Sequence, residues 1–242
     1  MSEGHPRLLG HRGSPEERPE NTMASYRAAL ESGLDGVELD VQRTLDGVLV
    51  IRHDFHLPDG RLIAALKAHE VAQVELEGGG RIPMLEEVLD WAEESGAYLN
   101  IEVKSDRFAT DGREAETVHA LERHEFPPHQ VILSSFSPAA VARCRAANAV
   151  YPTALLWDAK LQPAWLLAKG QTAVLLGLSA IHPHHTLVNA DLVAWARTHR
   201  WRVNTWTVND EPEARRLLEL GVDGLIGNRP NILLAAAGRV VS

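Results

Sequence analysis

Two acids two residues apart, Glu38 and Asp40 in Gly36-Val37-Glu38-Leu39-Asp40-Val41, share one face of any strand that carries them, while Val37, Leu39 and Val41 take the other. Ile101-Glu102-Val103-Lys104 repeats the arrangement, with Glu102 and Lys104 on the polar face. If both strands end at one mouth, three carboxylates converge there. Burial and like charge each raise a carboxyl pKa, so all three stay ionised only with a compensating charge. A divalent cation supplies it. An oxygen-only ligand set suits a hard ion, Mg2+ or Ca2+, with Mn2+ as the alternative. The competing account pairs these acids with arginines or leaves them solvated on an edge strand.

His11-Arg12-Gly13 closes another short apolar run, Leu8–His11. A histidine exchanges protons near neutral pH, and the guanidinium of Arg12 matches two non-bridging phosphate oxygens. Gly13 lets the backbone turn close to a ligand. Glu20, just before a helix, holds either a substrate hydroxyl or Arg12, and Asn21 or Thr22 caps that helix. Trp206 is either an apolar wall for the substrate or a packed aromatic. His182 is a candidate for the same mouth. Cys144 sits in a helical stretch and reads as packed rather than nucleophilic. Neither the HExxH spacing nor the cysteine pairs of a zinc site are present, and there is no Gly-x-Ser-x-Gly elbow.

The elements that must position these residues alternate. Strand candidates are Leu8–His11, Gly36–Gln42, Tyr98–Lys104, Val131–Ser135, Thr153–Trp157, Leu176–Ile181, Arg202–Thr207 and Asp223–Ile226. Amphipathic stretches between them include Thr22–Ser32, Leu85–Ser95, Arg113–Arg123, Pro138–Ala147, Asp191–His199 and Glu211–Leu220. Eight strands alternating with helices argue for an α/β protein with a parallel (β/α)8 TIM barrel. A doubly wound open sheet shares the pattern. A ninth run, Val48–His53, follows Gly36–Gln42 too closely for a parallel crossover and must return as an antiparallel hairpin. With Asp46-Gly47 as a tight turn, Leu45 faces Val48 and His53 comes opposite Asp40. A short insertion, from about Phe55 to Arg81, follows.

The 242 residues match the ~250 typical of one such barrel, and no linker interrupts them, so residues 1–242 read as a single domain. The net charge of −9, from 24 Lys+Arg and 33 Asp+Glu, disfavours nucleic acid and anionic membranes, so a phosphate ligand needs a local site. One cysteine allows no internal disulfide. No signal-peptide pattern opens the chain, and its apolar runs, Ala173–Ile181 and Ile232–Ala237, fall well short of the ~20 residues of a membrane span. The expectation is a cytoplasmic protein with no stable membrane association.

The ordered set Leu8-Leu9-Gly10-His11-Arg12-Gly13, Pro19-Glu20-Asn21-Thr22, Gly36-Val37-Glu38-Leu39-Asp40-Val41 and Asp46-Gly47-Val48-Leu49-Val50-Ile51-Arg52-His53-Asp54 resembles the glycerophosphodiester phosphodiesterase family. Asn100-Ile101-Glu102-Val103-Lys104, Ser135-Phe136, Trp206-Thr207-Val208-Asn209 and Gly221-Val222-Asp223-Gly224 extend the resemblance to about Pro230. It implies a barrel related to phospholipase-C-like phosphodiesterases and hydrolysis of a small-molecule glycerophosphodiester to sn-glycerol 3-phosphate and an alcohol. It also implies His11 and His53 as the catalytic pair, Glu38, Asp40 and Glu102 as metal ligands, Arg12 on the phosphate with Lys104 nearby, and Trp206 bordering the substrate. Rival readings are a lysophospholipid or other phosphodiesterase on the same barrel, and a catalytically silent barrel that binds glycerophosphodiesters. The chain departs from the family where Gly227-Asn228-Arg229-Pro230 replaces the usual Thr-Asp before the proline, and where Met84 replaces a helix-opening threonine.

Overall fold

The computed structural model describes residues 5–105, 110–158 and 176–239. The first residues of the apolar stretch Ala173–Ile181 fall outside them. Eight parallel strands close on themselves: β1 (Arg7–His11), β2 (Gly36–Arg43), β4 (Tyr98–Val103), β5 (Val131–Ser135), β6 (Thr153–Trp157), β7 (Ala180–Pro183), β8 (Arg202–Thr205) and β9 (Gly224–Gly227). Closure comes from β1, which pairs with β2 on one side and β9 on the other. The barrel expectation is met, and the open doubly wound sheet is excluded.

Helices α1 (Met23–Glu31), α3 (Leu85–Ser95), α4 (Arg113–Arg123), α5 (Pro138–Ala147), α6 (Ala190–Thr198), α7 (Glu211–Leu220) and α8 (Pro230–Ala236) follow strands on the outside, and the short α2 (Ala68–Ala72) lies in the insertion. Local signals set their limits. Thr22 caps α1 through Ser25 N, Ser137 caps α5 and Asp210 caps α7, each with a side-chain oxygen accepting a backbone N–H. Met84 offers no such oxygen, and the Glu87 carboxylate instead takes the Met84 N–H at 2.9 Å.

Period-two alternation divides the strand side chains. Val37, Leu39, Val41, Leu99, Ile101 and Val103 pack outward under the helices in the main core. Leu9, Tyr98, Ile132, Ala154, Ala180 and Ile226 form a smaller apolar plug inside the barrel, with Trp206 packed on it. The inward polar residues stand above this plug at the C-terminal mouth, the face where barrels of this kind carry their chemistry. Cys144 packs inside α5, as expected, and burial pushes its thiol up to about 12.

Besides shifts of a residue or so at other ends, several boundaries differ from the sequence expectation. Residues Leu176–Ser179 precede β7 rather than belonging to it, and β8 stops at Thr205. The hairpin turn is wider than Asp46-Gly47 alone. β3 (Leu49–Ile51) pairs antiparallel with β2 in the register Val41 to Ile51, Gln42 to Val50 and Arg43 to Leu49, with Thr44 N donating to Val48 O. The ladder is therefore shifted by one residue, and Asp40 O accepts from Arg52 N rather than lying opposite His53. The cause is Asp46: its carboxylate accepts from Thr44 Oγ1 and from Ala68 N at the start of α2, so it ties the hairpin to the insertion. The insertion has its own apolar cluster: Val50, Leu57, Ile63, Leu66, Val71, Leu76 and Ile82.

Candidate active site at the barrel mouth

Glu38 and Asp40 on β2 and Glu102 on β4 bring their carboxylates within 4.8 Å of one another, all of them buried. The register makes this unavoidable, because Asp40 and Glu102 are direct neighbours across the β2–β4 ladder and Glu38 lies one inward position below. Lys104 Nζ reaches Asp40 Oδ1 at 3.3 Å and Glu102 Oε1 at 3.1 Å, and Arg12 Nε lies 3.5 Å from Asp40 Oδ2. These cations do not balance the cluster evenly. Lys104 and Arg12, helped by the Asn21 amide, hold the Asp40 carboxyl below its usual range despite its burial. Burial, with Asp40 beside it, pushes Glu102 up to about 7 and raises Glu38 well above the carboxylate range. Apart from the Lys104 ammonium, Asp40 Oδ1 has no partner among the described residues. Three clustered carboxylates, two of them held against ionisation, form a donor set that a hard divalent cation fits.

Around this cluster the expected residues assemble. His11, at the end of β1, places Nε2 3.9 Å from Glu38 Oε2, and burial together with Arg12 lowers its pKa to about 4. Its Nδ1 lies 2.7 Å from Asn228 Oδ1 in the loop after β9. Arg12 has φ 55, a backbone region non-glycine residues seldom occupy, and its N–H donates to Glu38 Oε2 at 3.0 Å. Gly13 follows at φ 91, and a Cβ there would meet Ser25 Oγ at 2.4 Å. Of the two roles open to Glu20, the structure shows the hold on Arg12, whose Nη1 donates to Glu20 Oε2 at 2.9 Å.

His53 comes from the hairpin rather than from the barrel wall. Buried Gln42, the third inward residue after Glu38 and Asp40, donates through Nε2 to Arg52 O at 2.7 Å and Asp54 O at 2.8 Å, clamping the chain on both sides of the histidine. His53 Nδ1 lies 2.8 Å from the Asp54 carboxylate. Trp206 Nε1 donates to His182 O at 2.8 Å, and its ring meets Phe136 edge-on at 5.4 Å.

His11, Arg12, Glu38, His53, Glu102, Lys104 and Trp206 all line one cavity of about 330 Å³, with Leu156 and Ile226 completing an apolar wall beside Trp206 and Phe136. A larger, more open cavity of about 900 Å³ adjoins it past His53 and Lys104, bounded by Glu20, Phe55, Leu57 and Leu76. His182 does not reach either space. It is fully buried on β7, where Asn204 Nδ2 meets its Nε2 at 2.9 Å, which corrects the expectation that it lines the mouth.

Sequence reasoning missed the neutral side chains that hold the site together. Asn21, also at φ 55, donates to Asp40 Oδ2 at 2.9 Å and accepts from Tyr26 OH at 2.8 Å, so it braces a carboxylate while Thr22 does the capping. Asn228 and Gln42 act likewise on the two histidines. A signal existed for Gln42, the next inward position on the Glu38-Asp40 face, whereas Asn228 lies in a loop with no periodicity to mark it.

Residues 11–232 match the glycerophosphoryl diester phosphodiesterase family. The chain is 29% identical to a glycerophosphodiester phosphodiesterase of Caldanaerobacter subterraneus subsp. tengcongensis, over 94% of this chain and 96% of that protein. It is 30% identical to one of Bacillus subtilis, over 93% and 84%. Among solved structures, a putative glycerophosphoryl diester phosphodiesterase from Silicibacter pomeroyi superposes with a TM-score of 0.87 at 26% identity, covering 100% of this chain and 97% of that one. An Oleispira antarctica phosphodiesterase, solved in complex with the product sn-glycerol-3-phosphate, gives a TM-score of 0.82 at 28% identity over 97% of each chain.

Proposed function

The chain belongs to the glycerophosphoryl diester phosphodiesterase family, and on that footing we propose that it hydrolyses glycerophosphodiesters to sn-glycerol 3-phosphate and an alcohol by histidine acid–base catalysis at the Glu38–Asp40–Glu102 cluster. The observation that carries this reading is the meeting of two imidazoles and a guanidinium with Glu38 and Glu102 around one cavity, the two acids clustered with the buried Asp40. Glu38, Asp40 and Glu102 would hold Mg2+ or Ca2+, with Mn2+ as the alternative. Bound there, the cation supplies positive charge against a phosphodiester and its transition state.

The side chains divide the remaining work. Arg12, anchored by Glu20, presents donors to the non-bridging phosphate oxygens, and Lys104 adds a second cation from the other side of Asp40. An amide oxygen only accepts, so Asn228 Oδ1 fixes the His11 proton on Nδ1 and leaves the Nε2 lone pair toward the cavity. His11 Nε2 takes the proton of the attacking hydroxyl, either glycerol's own 2-hydroxyl or water, as its oxygen bonds to phosphorus. His53 is backed by the Asp54 carboxylate, a partner for the protonated imidazole, and gives its proton to the alcohol oxygen as the phosphorus–oxygen bond breaks. If the 2-hydroxyl attacks first, water opens the resulting cyclic phosphate with the roles reversed. Trp206, Phe136 and Leu156 form the wall for the glycerol carbons, and the larger cavity beyond His53 receives the leaving alcohol.

No described helix is long and apolar enough to cross a membrane. Release of sn-glycerol 3-phosphate from glycerophosphocholine, followed with and without Mg2+, Ca2+ and chelator, tests the reading, with lysophosphatidylcholine run in parallel. The expected result is turnover of the first substrate that stops in chelator. Full turnover in excess chelator overturns the metal role. Wild-type turnover by a His11→Ala/His53→Ala double variant overturns the acid–base pair. No turnover under any condition leaves the silent-barrel reading standing.

A further inference from the structure

Asn100 lies on β4, fully buried, facing the barrel interior and level with Glu38 on the neighbouring strand. Its Oδ1 accepts a hydrogen bond from Ser134 Oγ on β5 at 2.9 Å, which fixes the plane of the amide. The other end, Nδ2, has no hydrogen-bond partner among the described residues, although the side chain lines the 330 Å³ cavity with His11, Arg12, Glu102 and Lys104. A buried amide donor left unpaired costs folding free energy, and native chains seldom leave one without a purpose. Turned over, the amide would present Oδ1 to a cavity that the Glu38 and Glu102 carboxylates also line, so electrostatics favours the N–H end there.

We propose that Asn100 is a substrate-binding residue whose Nδ2–H donates to an acceptor oxygen on the glycerol-phosphate half of the diester. Two placements choose that half over the leaving alcohol. Asn100 lines the inner cavity, which also holds the apolar wall of Phe136, Leu156 and Trp206, and takes no part in the outer cavity beyond His53. Ser134 is then a positioning residue, setting which end of the amide faces the ligand. The inference rests on the phosphodiesterase reading above.

Calorimetric titration of sn-glycerol 3-phosphate into the full chain with saturating Mg2+ tests it, alongside Mg2+ affinity, thermal midpoint, and KM and kcat for glycerophosphocholine. Asn100→Ala should weaken sn-glycerol 3-phosphate binding about tenfold or more, the scale of one hydrogen bond to a charged acceptor, with KM rising and Mg2+ affinity unchanged. Wild-type affinity for sn-glycerol 3-phosphate in this variant, whatever its thermal midpoint, overturns the proposal, and so does an equal loss of Mg2+ affinity. Should Asn100→Ala not fold, Ser134→Ala decides: a loss of about threefold in the same affinity supports the assignment, and no change overturns it. If the wild-type chain neither binds sn-glycerol 3-phosphate nor releases it from glycerophosphocholine, the phosphodiesterase reading itself has failed, which is a separate result.

Discussion

Nδ1 of His11 and Oδ1 of Asn228 lie 2.7 Å apart although 217 residues separate them, because the ends of β1 and β9 are neighbours in the closed barrel. Asn228 is itself held: its N–H donates to Asn209 Oδ1 at 2.8 Å. A ring tied at one nitrogen can neither rotate nor exchange tautomers freely, so its other nitrogen is aimed. Asn228→Ala should therefore lower kcat on glycerophosphocholine by about 10²-fold, the scale of losing near-attack geometry, with little change in thermal midpoint. Asn228→Asp, which keeps an acceptor at Nδ1, should retain far more activity. Equal kcat for wild type and Asn228→Ala would show that the contact does not orient the base.

The three carboxylates are unequal, and their neutral isosteres should separate them. In chelator at neutral pH, Glu38→Gln relieves a buried acid that burial and Asp40 hold against ionisation, so the metal-free protein should gain stability. Asp40→Asn removes the partner of Lys104 and Arg12 and should lose it. Shifts of a few degrees are expected, on a scale of about 2–4 °C per kcal/mol for a chain of this size. With saturating Mg2+ the Glu38→Gln advantage should disappear or reverse. Thermal melts of wild type and both variants with and without metal check this, and destabilisation of the metal-free protein by both would refute the account.

In the first turn of α7, Glu213 accepts from Arg216 at 2.7 Å and meets His185 Nδ1 at 2.8 Å. Those contacts, Arg216 first, lower its pKa to about 2. The unfolded chain titrates this carboxyl near ~4.3, so the folded state binds the proton less readily. Its stabilisation is present in full above the unfolded value and is lost as the pH falls from about 4.3 toward 2. The difference in thermal midpoint between wild type and Glu213→Gln should be constant from pH 7 to 5 and shrink below that. A gap that widens on acidification would reverse the sign argued here.

The period of two made the charged half of the site legible. Glu38 with Asp40, and Glu102 with Lys104, declared a common face, and the strand-helix alternation put those faces at one mouth. The hairpin was legible as a hairpin, because Val48–His53 followed β2 too closely for anything else. Its register was not, because Asp46 serves α2 as well as the turn, and a turn residue with a distant partner cannot be read locally. The supporting amides Asn21, Gln42 and Asn228 stayed hidden for a related reason. An uncharged amide fits caps, loops and surfaces equally well, and only its partner across the barrel gives it a task. His182 looked like a mouth residue from its place near a strand end, yet its inward register carries it down among Asn204 and the interior plug.

The insertion after the hairpin stands on an apolar floor of its own, from Val50 to Ile82, apart from the packing that closes the barrel. An exchange of residues 55–81 that keeps the Ala68 N–H for Asp46 would re-cut the outer cavity while leaving the carboxylate cluster below in place. On the proposed reading, selectivity and chemistry would then rest on separate frames, with His53 at the joint between them.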